Sequence, residues 1–134
     1  MKIEINNQAN YKIDLKLIEK VVKTFGRVYK IKNKELSLAF VGDAEIKKLN
    51  SAYRGLKMAT DVLSFAGDGD YFGEIIIDYN QIKRQAGNFK NNAEEELIFI
   101  LTHGLLHLSG YDDKTDEDRE TMIKIGEEFI KKYL

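Results

Sequence analysis

The chain has 134 residues, of which 43% are apolar and 32% charged, a balance typical of one soluble globular domain spanning residues 1–134. Its formal net charge of −1 means that the surface as a whole does not attract nucleic acid, so RNA binding would require a local basic patch. The absence of cysteine excludes a disulfide framework and a thiolate metal site, and it fits a cytoplasmic protein.

The first half of the chain predicts two strands that alternate with two helices. Residues 2–6 and 36–40 alternate apolar and polar side chains, as half-buried strands do. Asp14 is placed to cap a helix whose apolar residues recur at helical spacing, and Asp43 is placed to cap a second one. Gly55 is expected to end that second helix as its C-terminal cap.

A hairpin and a short helix are predicted next. Residues 62–66 and 73–77 are strands, and the stretch 67–73 between them contains three glycines, which indicates a hairpin loop. Asp78 is then placed to cap a short helix that Gly87 ends. Right-handed crossovers would make the earlier part of the sheet parallel, with this hairpin attached in antiparallel fashion.

The central helix of the chain begins at the capping box of Asn92 and Glu95 and is apolar nearly all round, which indicates burial. The longest apolar run of the chain, 97–101, is much too short to cross a bilayer, so no membrane association is expected. Gly110 ends this helix, and Thr115 opens the last one. The order of elements predicts an α+β fold, or a mixed-sheet α/β sandwich, with four strands in a mixed sheet and about five helices.

The only two histidines of the chain, His103 and His107, lie four residues apart on this helix. At that spacing both imidazoles project from one face and can reach one ion. A zinc site needs a third protein ligand, and Gly110 permits the left-handed turn that would bring Asp113 back toward the histidines. The spacing is that of the metzincin zinc motif. Asp112, one residue off this spacing, is the alternative third ligand.

Gly104 argues against a peptidase at this site. In HExxH enzymes the residue after the first histidine is a glutamate that acts as general base, and glycine has no side chain for that task. A metal would still act as a Lewis acid and lower the pKa of a bound water. The alternative without a metal is that both histidines are core residues bonded to backbone groups, although two unpaired imidazoles in a core would be costly.

Three stretches of the chain carry a family resemblance. Residues 103–113 have the sequence HGLLHLSGYDD, residues 49–54 LNSAYR, and residues 60–65 TDVLSF, followed by the Gly-Glu-Ile step at 73–75. In these stretches the chain resembles the YbeY endoribonucleases, also called rRNA maturation factors. Their signatures are H-G-x-L-H-L-x-G-Y-D-H and L-N-x-x-Y-R followed by T-D-V-L-S-F.

The resemblance implies a zincin-like α+β fold with one divalent metal ion on the central helix and the following loop, held by His103, His107 and Asp113. Zinc is the first expectation for this ion, with manganese or nickel as alternatives. The resemblance also implies a metal-dependent endoribonuclease, specific for single-stranded RNA, that acts in ribosomal RNA 3′-end maturation and ribosome quality control. The expected partners are ribosomal RNA and the ribosome or ribosomal proteins, with no role for DNA or a membrane.

Asp113 departs from the family pattern, in which the third ligand is a histidine. An aspartate can ligate zinc, but its negative charge partly offsets that of the metal. We therefore expect a less acidic bound water and a greater tolerance of Mn²⁺ and other oxygen-preferring ions.

The resemblance assigns further roles around the metal. A metal-activated water would attack the RNA phosphodiester while the guanidinium of Arg54 contacts the scissile phosphate and stabilises charge in the transition state. An ordinary surface role at a helix end is the structural alternative for Arg54. Ser64 is expected to line the substrate groove. Asp112 is expected either to cap the loop or to orient His103 or His107 without contacting the metal itself.

Basic residues could form a phosphate track beside the metal, or they could simply be solvated helix faces. They fall into two groups, which are Lys47, Lys48, Arg54 and Lys57, and Lys83, Arg84 and Lys90. Two further functions stay open at this point. One is a peptidase or amidase, which the metal spacing supports. The other is a degenerate, non-catalytic module associated with the ribosome. Asp113, which replaces the family's histidine, supports this second alternative.

Overall fold

The computed structural model of the chain describes residues 1–56, 58, 60–88 and 92–134. Within these ranges the chain forms a four-stranded mixed sheet and five helices, which confirms the predicted α+β fold. In chain order the elements are β1 Lys2–Asn7, α1 Leu15–Val28, β2 Glu35–Val41, α2 Asp43–Arg54, β3 Val62–Ala66, β4 Tyr71–Asp78, α3 Tyr79–Asn88, α4 Ala93–Leu108 and α5 Asp116–Tyr133.

The strands are arranged in the order β1-β2-β4-β3. β1, β2 and β4 run parallel to one another, whereas β3 is antiparallel to β4 and forms one edge of the sheet. The predicted combination of parallel strands and an attached hairpin is therefore confirmed. β4 begins at Tyr71, two residues earlier than the sequence predicts, so that the hairpin loop spans only 67–70.

The central helix α4 packs against β3 and β4 on the sheet and against α1, α3 and α5. Its buried apolar side chains join those of the sheet and of α1 in the main core, and they include Leu97, Leu101, Leu105 and Leu106. The prediction of a buried central helix is confirmed. No helix among the described residues has both the length and the apolar character needed to cross a membrane.

Most of the predicted helix ends are confirmed by the hydrogen bonds at the caps. Side chains accept from backbone N–H groups at the start of α1, α4 and α5, and these capping residues are Asp14, Asn92 and Thr115. At the other end of α2, Gly55 adopts a left-handed φ of 70° and ends the helix as expected. These caps fix where α4 begins and where α2 ends, and both helices contribute residues to the candidate site.

The prediction that Asp43 caps α2 is wrong. Gly42 is the N-cap residue, with extended backbone angles, and Asp43 is the first residue of the helix itself. The carboxylate of Asp43 instead accepts hydrogen bonds of 2.8 and 3.2 Å from the guanidinium of Arg84 on α3. The side chain of Asp43 therefore forms a long-range ion pair and does not cap the helix.

Candidate metal centre

The end of α4 and the loop after it bring three ligating side chains together. His103 and His107 lie on α4, and their rings are 4.8 Å apart between centroids. Oδ2 of Asp113 lies 3.8 Å from Nε2 of His103 and 3.3 Å from Nε2 of His107. One ligand atom from each of the three residues fits within a span of 4.8 Å, so the group could hold a metal ion.

The turn after α4 explains how Asp113 reaches the histidines. Gly110 has a φ of 102°, which favours glycine over residues with a side chain. The N–H of Gly110 donates to the carbonyl of His107 at 3.0 Å, and the N–H of Tyr111 donates to that of Leu106 at 3.1 Å. This pattern is a Schellman motif, and it reverses the chain so that Asp113 returns to the helix. The prediction of a left-handed turn at Gly110 is confirmed.

The electrostatics around His103 favour metal binding. Burial lowers the pKa of His103, and the neighbouring His107 lowers it further, while Asp113 acts in the opposite direction. A neutral imidazole is the form that ligates a metal. Ligand atoms about 2.0–2.2 Å from a tetrahedral zinc lie about 3.4 Å apart, close to the separations from Asp113. Because both Nε2 atoms face a carboxylate, the metal interpretation is better supported than core histidines bonded to the backbone.

Asp112 lies outside this group. Its Oδ1 accepts a hydrogen bond of 3.0 Å from the backbone N–H of Lys114, and its Oδ2 lies 3.9 Å from Nζ of the same lysine. The side chain thus shapes the loop that carries Asp113. This arrangement favours Asp113 over Asp112 as the third ligand and supports the loop-capping alternative for Asp112.

A cleft of about 710 Å³ opens beside the two histidines. The edge strand β3 contributes Ser64 and Phe65, α4 contributes its histidine face, and the end of α2 contributes Arg54. Tyr53 packs edge-on against Phe65, with ring centroids 5.1 Å apart, and extends the aromatic surface of the cleft. The structure therefore brings Arg54 and Ser64, two of the predicted site residues, into the same hollow as the three candidate ligands.

Two residues that line the cleft were not among the site residues predicted from the sequence. Arg119 of α5 lines the cleft and adds a second guanidinium, 3.5 Å from Asp116. Arg119 is exposed and has charged neighbours in the sequence, so no sequence pattern distinguishes it from an ordinary solvated side chain. Asp61 also lines the cleft, and its Oδ2 accepts a 3.0 Å hydrogen bond from Gln85 on α3. This bond ties the loop before β3 to α3.

The two predicted groups of basic residues behave differently. In the first group, Arg54 lines the cleft. In the second, Arg84 is paired with Asp43, and Nζ of Lys83 lies 5.4–5.8 Å from the ring centroids of two tyrosines. Neither Lys83 nor Arg84 is among the described residues that line the cleft. Lys57 and Lys90, which the prediction included, lie outside the described residues.

Gly104 lies where α4 meets the sheet. A Cβ atom at this position would come within 3.1 Å of Cδ1 of Ile75 and 3.2 Å of Oγ of Ser64. These are tighter than ordinary van der Waals contacts, so a glutamate, the general base of HExxH peptidases, would require its neighbours to move. The packing of the helix thus gives a physical reason for glycine beside the first histidine.

The fold and the site together define an α+β protein whose central helix and following loop carry a candidate metal centre beside an open cleft. A family profile described as "Endoribonuclease YbeY" matches residues 3–134. The chain therefore belongs to the YbeY endoribonuclease family.

Individual relatives are similar over nearly their whole length. "Endoribonuclease YbeY" of Phytoplasma australiense is 34% identical, with 98% of this chain and 95% of the relative covered. The protein of the same name from Desulforamulus reducens is 38% identical, with 91% and 90% covered. The solution structure of TM1509 from Thermotoga maritima is 30% identical and has a TM-score of 0.69, with 96% of this chain and 87% of that chain covered. The family and the fold are thus supported independently.

Proposed function

We propose that this protein is a metal-dependent endoribonuclease that cuts single-stranded RNA in ribosomal RNA 3′-end maturation and ribosome quality control. Membership of the YbeY endoribonuclease family supports an enzyme that acts on RNA. The observation that carries the proposal is the placement of Arg54 in the same cleft as His103, His107 and Asp113. Ribosomal RNA and the ribosome or its proteins are the proposed partners.

The proposed cofactor is one divalent ion held by His103, His107 and Asp113. Two imidazole nitrogens and one carboxylate oxygen suit zinc, and the carboxylate also accommodates manganese or nickel. When bound there, such an ion supplies Lewis acidity and a nucleophile at neutral pH. The half-buried position of both histidines, with side chains 18% and 29% exposed, leaves the ion accessible from the cleft.

Arg54 is the proposed catalytic residue that contacts the phosphate. It is the last residue of α2, and the left-handed Gly55 ends the helix immediately after it. A guanidinium presents a fixed fork of donors that can hold two phosphate oxygens at once and stabilise the charge that develops during cleavage. Among the described residues that line the cleft, Arg119 is the other cation.

The remaining cleft residues are suited to hold the RNA around the reacting phosphate. The hydroxyl of Ser64 can donate to a sugar or phosphate oxygen, and we assign it to substrate binding. Tyr53, Phe65 and Phe99 offer aromatic rings on which unpaired bases can stack, which a duplex would not permit. For Asp112 we propose a supporting role, in which its bond to Lys114 fixes the loop that presents Asp113.

The proposal predicts that Arg54→Ala and His107→Ala each abolish cleavage of a single-stranded RNA by the metal-loaded protein. Arg54→Ala removes the cation at the phosphate, and His107→Ala removes a metal ligand. Cleavage is measured by gel electrophoresis of a labelled RNA, and circular dichroism checks that the fold is retained. Lys20→Ala, on the exposed face of α1, is the control and should cleave at the normal rate.

Undiminished cleavage by both variants would contradict the proposed site. RNA binding without any cleavage by the unaltered, metal-loaded protein would instead support the non-catalytic ribosome-associated module. Chelator-sensitive peptide turnover would support a peptidase or amidase, against which Gly104 argues.

We also propose that residues 1–134 act as one domain. The main core joins apolar side chains from the sheet with those of α1, α3, α4 and α5, so these elements share one interior. The cytoplasmic location expected from the sequence stays a prediction.

A further inference from the structure

A second hollow, of about 510 Å³, borders the loop that follows α4. We call it the lysine groove, because its lining includes Lys30, Lys32 and Lys34, together with Tyr29 and Tyr111. None of the described residues that line it is acidic. In a chain with a net charge of −1, three lysines around one hollow form the local positive patch that RNA binding requires.

The backbone at Lys30 is unusual. Lys30 has a φ of 56°, a left-handed conformation that residues with a side chain rarely adopt. Its N–H donates to the carbonyl of Arg27, and that of Ile31 donates to Gly26, so α1 ends in a Schellman motif with Lys30 at the position where glycine is usual. Lysine therefore occupies a left-handed position that glycine would adopt with less strain. Asn33, also left-handed with a φ of 57°, completes the turn that carries the lysines.

Two of the three lysines are free to bind an anion. Neither Lys30 nor Lys32 lies within 4.0 Å of an acidic oxygen in the ion pairs of the described residues. Nζ of Lys34 donates a 2.9 Å hydrogen bond to the carbonyl of Gly69, which places its charge at the margin of the groove. Tyr111 is 38% exposed and offers part of its ring to solvent.

The groove and the cleft share one wall. Leu108 lines the cleft and the next residue, Ser109, lines the groove. In the same loop Tyr111 lines the groove, and Asp113, two residues later, lines the cleft. Consecutive Cα atoms are only 3.8 Å apart, so the loop after α4 borders both hollows within a few residues.

We propose that the lysine groove binds the single-stranded RNA that flanks the cleavage site. Lys30 and Lys32 contact phosphates, and the ring of Tyr111 stacks on a base. This inference rests on the proposed nuclease function and adds a second contact surface to it. The tyrosine rings and the shared wall with the cleft favour RNA over an acidic protein as the occupant.

The test uses a double variant, Lys30→Gly with Lys32→Ser, in the metal-loaded protein. Glycine suits the left-handed backbone at position 30, so the variant should keep its fold, which thermal unfolding checks. The control is Lys16→Ser with Lys20→Ser, which removes the same charge nearer the start of α1. KM and kcat are measured at several salt concentrations for a short single-stranded RNA that fills only the cleft and for one several times longer.

We expect KM for the long RNA to rise at least about fivefold in the groove variant, with kcat unchanged, because uniform binding is lost. The dependence of log KM on log salt concentration should weaken by about 1.4, or 0.7 for each lysine. The short RNA and the control variant should show no such change.

A groove variant that matches the control on the long RNA would overturn the inference while leaving the nuclease intact. Absence of cleavage by the unaltered protein would overturn both. Normal RNA kinetics with lost binding of polyglutamate would assign the groove to acidic proteins and also overturn the inference.

Discussion

At the scale of single residues, Asp113 decides the character of the candidate metal centre. The resemblance to the YbeY family implies a histidine at this position, whereas the carboxylate of Asp113 lies 3.3 Å from Nε2 of His107. An aspartate adds a negative charge and an oxygen donor beside the ion. In the proposed site, both features would shift the preference from zinc toward ions that favour oxygen ligands.

This difference predicts the effect of Asp113→His. The variant should bind zinc more tightly relative to manganese than the unaltered protein does, because a neutral nitrogen donor replaces an anionic oxygen donor. Competition between the two ions for the chelator-treated protein, followed by elemental analysis, measures the preference. Asp113→Asn, which removes the charge but keeps an oxygen, separates the effect of charge from that of the donor atom. An unchanged ratio of zinc to manganese in Asp113→His would show that residue 113 does not ligate.

The sequence predicted that these three side chains come together, because their geometry is local. Residues four apart on a helix must share a face, and a glycine after the helix must allow the chain to turn, whatever the rest of the fold does. Arg119 and Asp61 could not be placed in the same way. Their positions in the cleft depend on how α5 and the loop before β3 pack against α4, and no local pattern encodes that packing.

At the scale of elements, glycine allows α4 to approach the sheet closely enough to place its histidines at the edge. Gly73 on β4 has a φ of 148°, and a Cβ there would come within 2.5 Å of the carbonyl oxygen of Phe65 and 2.8 Å of Cδ2 of Leu108. Gly104 provides the matching contact on the helix. The two glycines thus explain why the site lies against β3.

A cluster of polar side chains joins β4, α2 and α3 on another part of the molecule. The hydroxyl of Tyr11 lies 2.8 Å from the carbonyl oxygen of Val41 and 3.3 Å from Oδ1 of Asp78, whose side chain is fully buried. Burial, followed by the nearby Asp43, raises the pKa of Asp78 to about 6. Hydrogen bonds from Arg84 lower the pKa of Asp43 to about 2.

These pKa values predict how Asp78→Asn changes stability with pH. Asp78 has a pKa of about 6 in the folded chain and an ordinary value of 3.8, so the unfolded chain releases its proton first as the pH rises. The contribution of Asp78 to the free energy of unfolding should therefore fall between about pH 4 and pH 6 and stay lower above that range. Asparagine carries no charge, so Asp78→Asn should be more stable than the unaltered protein at pH 7, by about 1–3 kcal/mol.

Urea unfolding of both proteins at pH 4, 5, 6 and 7 measures this difference. The gap between them should widen with pH and level off above pH 6. Asp68→Asn, in the exposed hairpin loop, is the control and should show no such trend. Parallel pH profiles for Asp78→Asn and the unaltered protein would contradict a raised pKa of the buried Asp78.

The helix starts show where prediction from local patterns succeeds and where it fails. Asp14, Asn92 and Thr115 cap their helices as expected, because an N-cap side chain accepts its hydrogen bond from a backbone N–H only three residues later. Asp43 fails because Arg84, 41 residues later in the chain, binds its carboxylate. An ion pair between distant elements cannot be foreseen from the sequence around either residue.

At the scale of the whole molecule, the topology places the cleft at one edge of the sheet. The order β1-β2-β4-β3 places the antiparallel strand β3 at the edge, where it packs against α4 and lines the cleft. The alternation of strands and helices predicted this mixed sheet, since parallel neighbours need helical crossovers. The sequence could not predict that the loop after α4 borders two hollows, because the lysine groove combines residues from distant parts of the chain, within 29–34, at 72 and within 109–111.

The central claim is that a metal ion held by His103, His107 and Asp113 is required for cleavage of single-stranded RNA. The most direct test is the initial rate of cleavage by chelator-treated protein as zinc or manganese is added back. The rate should rise from near zero and saturate at one equivalent of metal per chain, and His107→Ala should show no such rise. Full cleavage by the chelator-treated protein, or an unchanged titration in His107→Ala, would contradict the claim.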